Sequence, residues 1–369
     1  MKLPAHAVIL AGGRGTRFWP RSRTRTPKQL LNIVGTETMI EQTVRRIAPL
    51  FPASRLWVVT QAEQAEAVRR QLPSLPRAHL LVEPEGRNTA AAIALASVHL
   101  RRECGDALMA VLPADHVIAR ERRYRELARR ALRLADAPDA LVVLGIQPSR
   151  PETGYGYIER GAAIGDRFGA DARAFRVRRF TEKPALRMAR RYVASGRYFW
   201  NAGMFFWRAS TFLAQLQRVL PATAQRLAAL EDSIGGAGYA ARLRRAYGRL
   251  ENISVDYAVL EPASRPKSGA RVIVLPAKNI GWSDIGSWAA VYELLAPCGD
   301  ANVSAGDVVT IDSAGNYFWA PKKVVAAIGV RDLVLVETPD ALLVCPRERA
   351  QDVGRIVKEL ERRRLRRLL

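Results

Sequence analysis

Five short apolar runs, Ala7–Leu10, Leu56–Thr60, His79–Val82, Leu108–Leu112 and Leu141–Gly145, alternate with stretches of helical periodicity in the first half of the chain. The helical stretches are Glu37–Ala48, Gln61–Gln71, Thr89–Arg102 and Tyr124–Ala135. A short apolar run bounded by turn residues reads as a buried strand. Strict strand–helix alternation is satisfied by a mainly parallel sheet with helices on both faces, a Rossmann-like α/β arrangement. Such sheets take their ligands beyond the carboxyl ends of the strands, so the residues that follow each run carry the functional information.

Past Pro148 the pattern changes. Tyr155–Glu159, Ala174–Thr181, Met204–Arg208 and Val272–Leu275 read as further strands, with a long helical stretch from Ala209 to Ala246. These continue the same sheet, which becomes mixed but stays mainly parallel. The cluster Tyr198, Phe199, Trp200, Phe205, Phe206 and Trp207 reads mostly as core. A break is expected at Pro297-Cys298-Gly299-Asp300, dividing a catalytic domain (1–298) from a small β-rich unit (299–369). In that unit the runs Asp307–Asp312, Val324–Gly329, Leu333–Glu337 and Ala341–Val344 are joined by short turns. Val353, Ile356, Val357 and Leu360 then fall on one stripe of a terminal amphipathic helix, and the arginines beyond it read as a solvated end.

The first strand runs straight into Gly12-Gly13-Arg14-Gly15-Thr16-Arg17. From Gly12 to Lys28 there are three glycines, two prolines, five arginines and one lysine. Glycines let the backbone turn tightly and approach a ligand closely. Successive N–H groups there form an anion-binding concavity, which Thr16, Arg14, Arg17 and Lys28 extend. The P-loop pattern is absent, and GxGxxG fails at its third glycine, where Phe18 stands. The spacing Gly13-x-Gly15-Thr16-Arg17-x-x-Pro20, then Pro27-Lys28, points to a polyphosphate. Lys28 is expected on a solvated loop.

Charge decides less than it first suggests. Lys and Arg number 58 against 35 Asp and Glu, a net charge of +23. Nucleic acid attracts such a surface, but the arginines are spread over nearly every helix, and no helix-turn-helix, zinc finger or RNA-binding aromatic motif accompanies them. A basic nucleic-acid-binding protein therefore stays the weaker alternative, and no nucleic-acid partner is expected. Three scattered cysteines give neither a disulfide framework nor a zinc site, and no apolar run is long enough to span a membrane. A cytoplasmic protein without a membrane partner is the expectation.

Beyond the loop, Glu83-Pro84 with Arg87-Asn88-Thr89-Ala90, Leu112-Pro113-Ala114-Asp115-His116, Gly154-Tyr155-Gly156, Thr181-Glu182-Lys183-Pro184, Trp200-Asn201-Ala202-Gly203, Ser254-Val255-Asp256-Tyr257 and Gly281-Trp282-Ser283-Asp284-Ile285-Gly286-Ser287-Trp288 follow in order. With the loop, this ordered set resembles the sugar-1-phosphate nucleotidyltransferases, and Trp19-Pro20-Arg21-Ser22 with Pro27-Lys28-Gln29 is similar to their mannose-1-phosphate guanylyltransferase branch. The likeness runs from about Val8 to Val344.

Taken alone, Asp115 and Asp284 are as readily turn or cap residues, Asn88 is an ordinary N-cap, and the cluster around Glu182 is a charged strand-end turn. The resemblance implies more. It makes Asp115 and Asp284 ligands of Mg2+. Gly12, Gly13, Gly15, Thr16, Glu83, Asn88 and Thr89 become nucleotide-binding, and Gly154, Glu182 and Asn201 sugar-binding. Arg17, Lys28 and Lys183 carry the reaction of GTP with mannose 1-phosphate. A heptose 1-phosphate is the alternative acceptor. His116 is given no catalytic role. The family's small C-terminal element, left-handed β-helix-like, implies a homodimer using the Val353–Leu360 stripe, with a site that survives truncation near Pro297. The chain past Val344 is too short for the cupin-type isomerase domain of bifunctional members, so no isomerase activity is expected.

Overall fold

The computed structural model describes residues 3–164, 173–265, 268–296 and 300–369. Cys298, and most of the break expected at 297–300, lie outside the described residues.

Nine strands form the central sheet. They are β1 (Ala5–Leu10), β2 (Leu56–Gln61), β3 (Leu80–Glu83) and β4 (Leu108–Pro113), then, after the two-residue β5 (Val117–Ile118), β6 (Ala140–Ile146), β7 (Tyr157–Ala163), β8 (Phe175–Thr181), β9 (Tyr198–Arg208) and β10 (Arg271–Pro276). Their spatial order is β3-β2-β1-β4-β9-β6-β10-β8-β7. The strands β3, β2, β1 and β4 are mutually parallel, and β6 and β10 are parallel to each other. Between them β9 runs antiparallel to both β4 and β6. The sheet is thus the mixed, mainly parallel one the sequence implies.

Alternate residues of β1 enter opposite cores. Val8 packs with Trp57, Val59 and the small residues Ala90, Ala91 and Ala92, whereas Ala7 and Ile9 pack with Ile40, Ile47 and Tyr124. Helices α1 (Met39–Ile47), α2 (Ala65–Gln71), α3 (Asn88–Cys104) and α4 (Glu121–Ala135) cover the parallel half. Thr38 and Glu41 start α1 with a reciprocal capping box. Helix α3 is buried nearly all round, so it reads Ala90-Ala91-Ala92-Ile93-Ala94 rather than as an amphipathic stripe. The helical stretch expected from Ala209 to Ala246 is three helices, Ala209–Val219, Pro221–Ala228 and Tyr239–Tyr247, because Pro221 and the Gly235–Gly238 segment interrupt it.

The C-terminal unit stacks parallel strands in two columns. One is β12 (Val303–Ala305), β14 (Tyr317–Trp319) and β16 (Leu333–Thr338); the other is β13 (Val308–Ile311) and β15 (Val325–Ile328). Strand β17 (Ala341–Pro346) closes the first column antiparallel to β16. Asn316 is fully buried at one corner, where its side chain donates to Asn302 Oδ1 and the Val330 carbonyl and accepts from Leu333 N.

The terminal helix Val353–Arg362 corrects one expectation. Val353 and Val357 are buried in the chain's own third core with Phe18, Trp19, Ile33, Trp288 and Val334, so half the stripe is spent within the chain. Ile356 alone of the four is exposed, at 43%.

Candidate active site

Sterics build the loop after β1. Gly15 has φ +57°, and a Cβ there would lie 2.6 Å from Lys28 Cβ and 2.9 Å from Lys28 N. Only glycine permits so close an approach. Side chains then take the loop's carbonyls: Gln29 donates to Ala11 O and Gly13 O, Gln61 to Gly12 O, and Ser22 to Gly15 O. Among the described residues, nothing accepts from the N–H groups of Gly12–Gly15, which stay available to an anion.

Lys28 is not solvated. It is 4% exposed, and its Nζ donates to Asp115 Oδ2 at 2.9 Å and to the Asp284 carbonyl at 2.5 Å. The expectation of a solvated lysine fails because Gly15 lets the 27–29 segment fold underneath the loop. Burial alone would raise Asp115, but the Lys28 ammonium outweighs it and holds that carboxyl below the usual range.

Asp115 and Asp284 meet through a two-strand clasp. Strand β11 (Trp282–Ser283) pairs antiparallel with β5, just after Asp115. Gly281, at φ +64°, makes the clasp possible, since a Cβ there would meet Ala119 Cβ at 2.7 Å. Trp282 Nε1 donates to His116 Nδ1, and burial lowers that imidazole to about 4, so it is neutral and props the clasp. Tyr155 Oη donates to Asp284 Oδ1 at 2.6 Å. Arg17 and the Asp284 carboxylate both flank Gly286.

The opposite end of the cleft is acidic. Gly156 carries no Cβ where one would sit 2.4 Å from Glu182 Oε2. Asn201 Nδ2 donates to Asp256 Oδ1 at 2.7 Å, and Asn201 Oδ1 accepts from Gly203 N. Burial, and then the neighbouring Glu182 carboxylate, pushes Asp256 up to about 7. Glu182 is likewise raised by burial, against the pull of Lys183. Lys183, 3.4 Å from Glu182, is mostly exposed and sits at φ +46°, which turns it out of the strand end. Gly154 lies in the exposed turn before Tyr155, its N–H donating to Glu152.

Between the two ends, Thr89 Oγ1 accepts from Val255 N, next to Asp256. Asn88 is not the expected N-cap: it is the first residue of α3, at φ +63°, and accepts from Thr89 N. Glu83 ends β3 beside Gly12, with Oε1 buried and unpartnered among the described residues. Burial pushes its carboxyl up to about 8, with the nearby Tyr247 hydroxyl pulling against it.

The residues quoted from these motifs therefore gather at the carboxyl ends of the strands. Residues 6–298 match the Nucleotidyl transferase family, and residues 306–360 match a MannoseP isomerase/GMP-like beta-helix domain. The chain is a nucleotidyltransferase. This enzyme is 40% identical over 364 residues to "Mannose-1-phosphate guanylyltransferase ManC" of Salmonella typhimurium, a match covering 96% of this chain and 73% of the relative. It is 39% identical to the alginate biosynthesis protein AlgA of Pseudomonas aeruginosa, covering 96% of this chain and 72% of that one. A Thermus thermophilus crystal structure, described as mannose-1-phosphate geranyltransferase, superposes with TM-score 0.86 at 35% identity, covering 97% of this chain and all of that one. No helix among the described residues of this nucleotidyltransferase is long and apolar enough to cross a membrane.

Reading the sequence alone misses Tyr155 and Asp256, though both lie inside quoted motifs. Tyr155 between two glycines is the signal of a ring reaching into a cleft; a carboxylate beside Val255, Ala258 and Val259 is the signal of a buried acid. Gln29 and Gln61, which tie down the loop, carry no signal beyond their nearness to it.

Proposed function

We propose that this nucleotidyltransferase transfers GMP from GTP to mannose 1-phosphate, releasing pyrophosphate. The observation that carries this reading is Lys28, buried beneath the glycine loop and bonded to both Asp115 and the Asp284 backbone. The names of the similar proteins support mannose 1-phosphate as acceptor. Guanine is supported by Glu83. Glu83 keeps one buried oxygen without a partner, which can accept from a guanine N–H donor.

In this reading a sugar-phosphate oxygen attacks the α-phosphorus in line, and the bond to the pyrophosphate oxygen breaks. The N–H groups of Gly12–Gly15, with Thr16 and Arg17, hold the leaving phosphates, and Lys28 fixes the reacting centre. Lys183 meets the sugar phosphate, while Glu182, Asn201 and the Gly154 turn orient the hexose hydroxyls. Asn88 and Thr89 seat the nucleoside. Two carboxylates without His or Cys are hard oxygen donors suited to Mg2+, which takes one or two carboxylates and completes its shell with phosphate and water. Asp115 and Asp284 would hold it, and it would supply positive charge between the two phosphates. Catalysis then rests on positioning and charge neutralisation.

The enzyme is further proposed to be a homodimer. Support comes from β13 and β15, whose Val309, Ile311 and Ile328 are 58%, 53% and 70% exposed on one unit. A cytoplasmic location is supported by Cys104 and Cys345, both free thiols. Pyrophosphate release, measured with Mg2+, each of four NTPs and a panel of sugar 1-phosphates, tests the reaction. GTP with mannose 1-phosphate should lead the panel; a heptose 1-phosphate turned over faster would replace the acceptor. Light scattering at micromolar protein tests the dimer, and a monomer would remove it.

A further inference from the structure

A cavity of about 700 Å³ lies outside the active cleft, between the edge strand β3 and the helix Tyr239–Tyr247. That volume falls within the roughly 300–1,000 Å³ typical of small-molecule sites. Its wall is apolar, from Trp57, Leu80, Val82, Leu95 and Leu243. Its polar floor is already satisfied, since His99 Nε2 and Tyr239 Oη are hydrogen-bonded at 2.6 Å. The floor therefore asks little of a ligand beyond shape.

The rim differs from the wall. Arg77, Arg102 and Arg244 stand there exposed, and none of them makes an ion pair among the described residues. The single rim carboxylate, Glu103, is occupied by His79 at 3.3 Å. An apolar hollow under unpaired guanidiniums fits a molecule with an apolar body and one anionic head. A strand-adding peptide fits worse: β3 is four residues long, with Pro73 and Pro76 before it and Pro84 directly after.

The helix on the far wall also reaches the active cleft. Tyr239, Ala240, Leu243 and Arg244 face the cavity, while Tyr247, at the end of the same helix, donates to Ala91 O and lies close enough to Glu83 to act on its carboxyl. Pro84, the neighbour of Glu83, lines the cavity directly.

We propose that this cavity is an effector site for a small amphiphile with an apolar body and a phosphate or carboxylate head, felt at the nucleotide pocket through Tyr247 and Pro84. The second half rests on Glu83 reading the nucleotide base.

Decyl phosphate below its micelle threshold is the probe, with binding measured directly by calorimetry on the full chain. Saturable one-to-one binding is expected, at least tenfold tighter than decyltrimethylammonium. Ala240→Trp, at an exposed helix position, should fill the cavity and weaken binding tenfold or more. Arg77→Glu with Arg244→Glu should weaken decyl phosphate yet leave decanol unchanged. Absent binding, or binding indifferent to Ala240→Trp, overturns the site; equal binding of the cationic amphiphile overturns the anionic head. Vesicles of phosphatidylcholine with phosphatidic acid separate the sources: sedimentation with them assigns a lipid headgroup, and binding of free decyl phosphate alone assigns a soluble ligand. GTP affinity should shift several-fold when the probe saturates, with the reciprocal shift in probe affinity. An unchanged GTP affinity overturns the coupling. Glu83→Gln separately tests the base reading, which fails if guanine preference survives that change while the probe still binds.

Discussion

The two ends of the cleft solve opposite electrostatic problems with the same element, glycine. At the loop end, Gly15 and Gly281 let the chain close on itself, so that Lys28 is buried against Asp115 and holds its carboxyl below the usual range. At the acidic end, Gly156 admits the Glu182 carboxylate near Asp256, and burial raises both carboxyls. One end keeps an ion pair. The other favours the protonated form of Asp256. The contrast separates residues whose charge matters from residues whose protonation matters.

The sharpest break is at Lys28. Lys28→Ala should lower turnover by about 10³-fold or more, in the range seen for lost transition-state stabilisers. Being buried, the residue should also cost stability, about 1–3 kcal/mol for the partner groups left unsatisfied. Steady-state kinetics and a urea midpoint check both; unchanged stability would mean that the loop opens freely.

Truncation is the next largest. Removing residues from 300 onward strips Phe18, Trp19 and Trp288 of their cover, each worth about 1.5–3 kcal/mol when buried. It also removes Gln351, which accepts from Arg17 at 2.6 Å, and the Leu368 carbonyl, which accepts from Trp19. A shortened chain should therefore lose GTP binding and melt lower. A truncated chain that binds GTP normally would show the loop to be self-sufficient, as the sequence suggested.

Asp115→Asn and Asp284→Asn should each cut activity about 10²-fold, with partial recovery at raised Mg2+. Normal activity and normal Mg2+ dependence in either variant would exclude that residue as a ligand.

The smallest effect sharpens the comparison through pH. Asp256 stands at about 7 in the folded chain against 3.8 unfolded. Its folded form keeps a proton that the unfolded chain has released, so its contribution is fully present below pH 3.8 and is lost as pH rises through 7. Asp256→Asn should flatten the decline in stability over that window and leave the phosphate end unaffected. Urea midpoints at pH 5 and pH 8 read the difference; an unchanged pH slope would mean that Asp256 titrates normally.

How far the sequence carries depends on the range of the signal. The runs Ala7–Leu10 and Leu108–Leu112 are buried on both faces, so they are continuous apolar stretches, and their strands were legible to within two residues. The glycine loop was legible because φ and spacing are local. Strand β9 was half legible: Met204–Arg208 reads as a strand, but Tyr198–Gly203 carries the cleft's Asn201 and departs from an apolar run. Two-residue strands such as β5 and β11 leave no periodicity at all, yet they bring Asp115 and Asp284 together. The burial of Lys28 was illegible for a related reason: it depends on a contact with Asp284, 256 residues away.

The ties between the loop and the C-terminal segment bear on how the enzyme comes into being. Arg17 and Gln351 are 334 residues apart. At about 5–20 residues per second, a ribosome needs roughly 17–67 s to travel that distance. Throughout that interval the loop lacks its Arg17–Gln351 tie, although Gln29, Gln61 and Ser22 already hold its carbonyls. A chain released before Gln351 would lack that tie between the loop and the C-terminal unit.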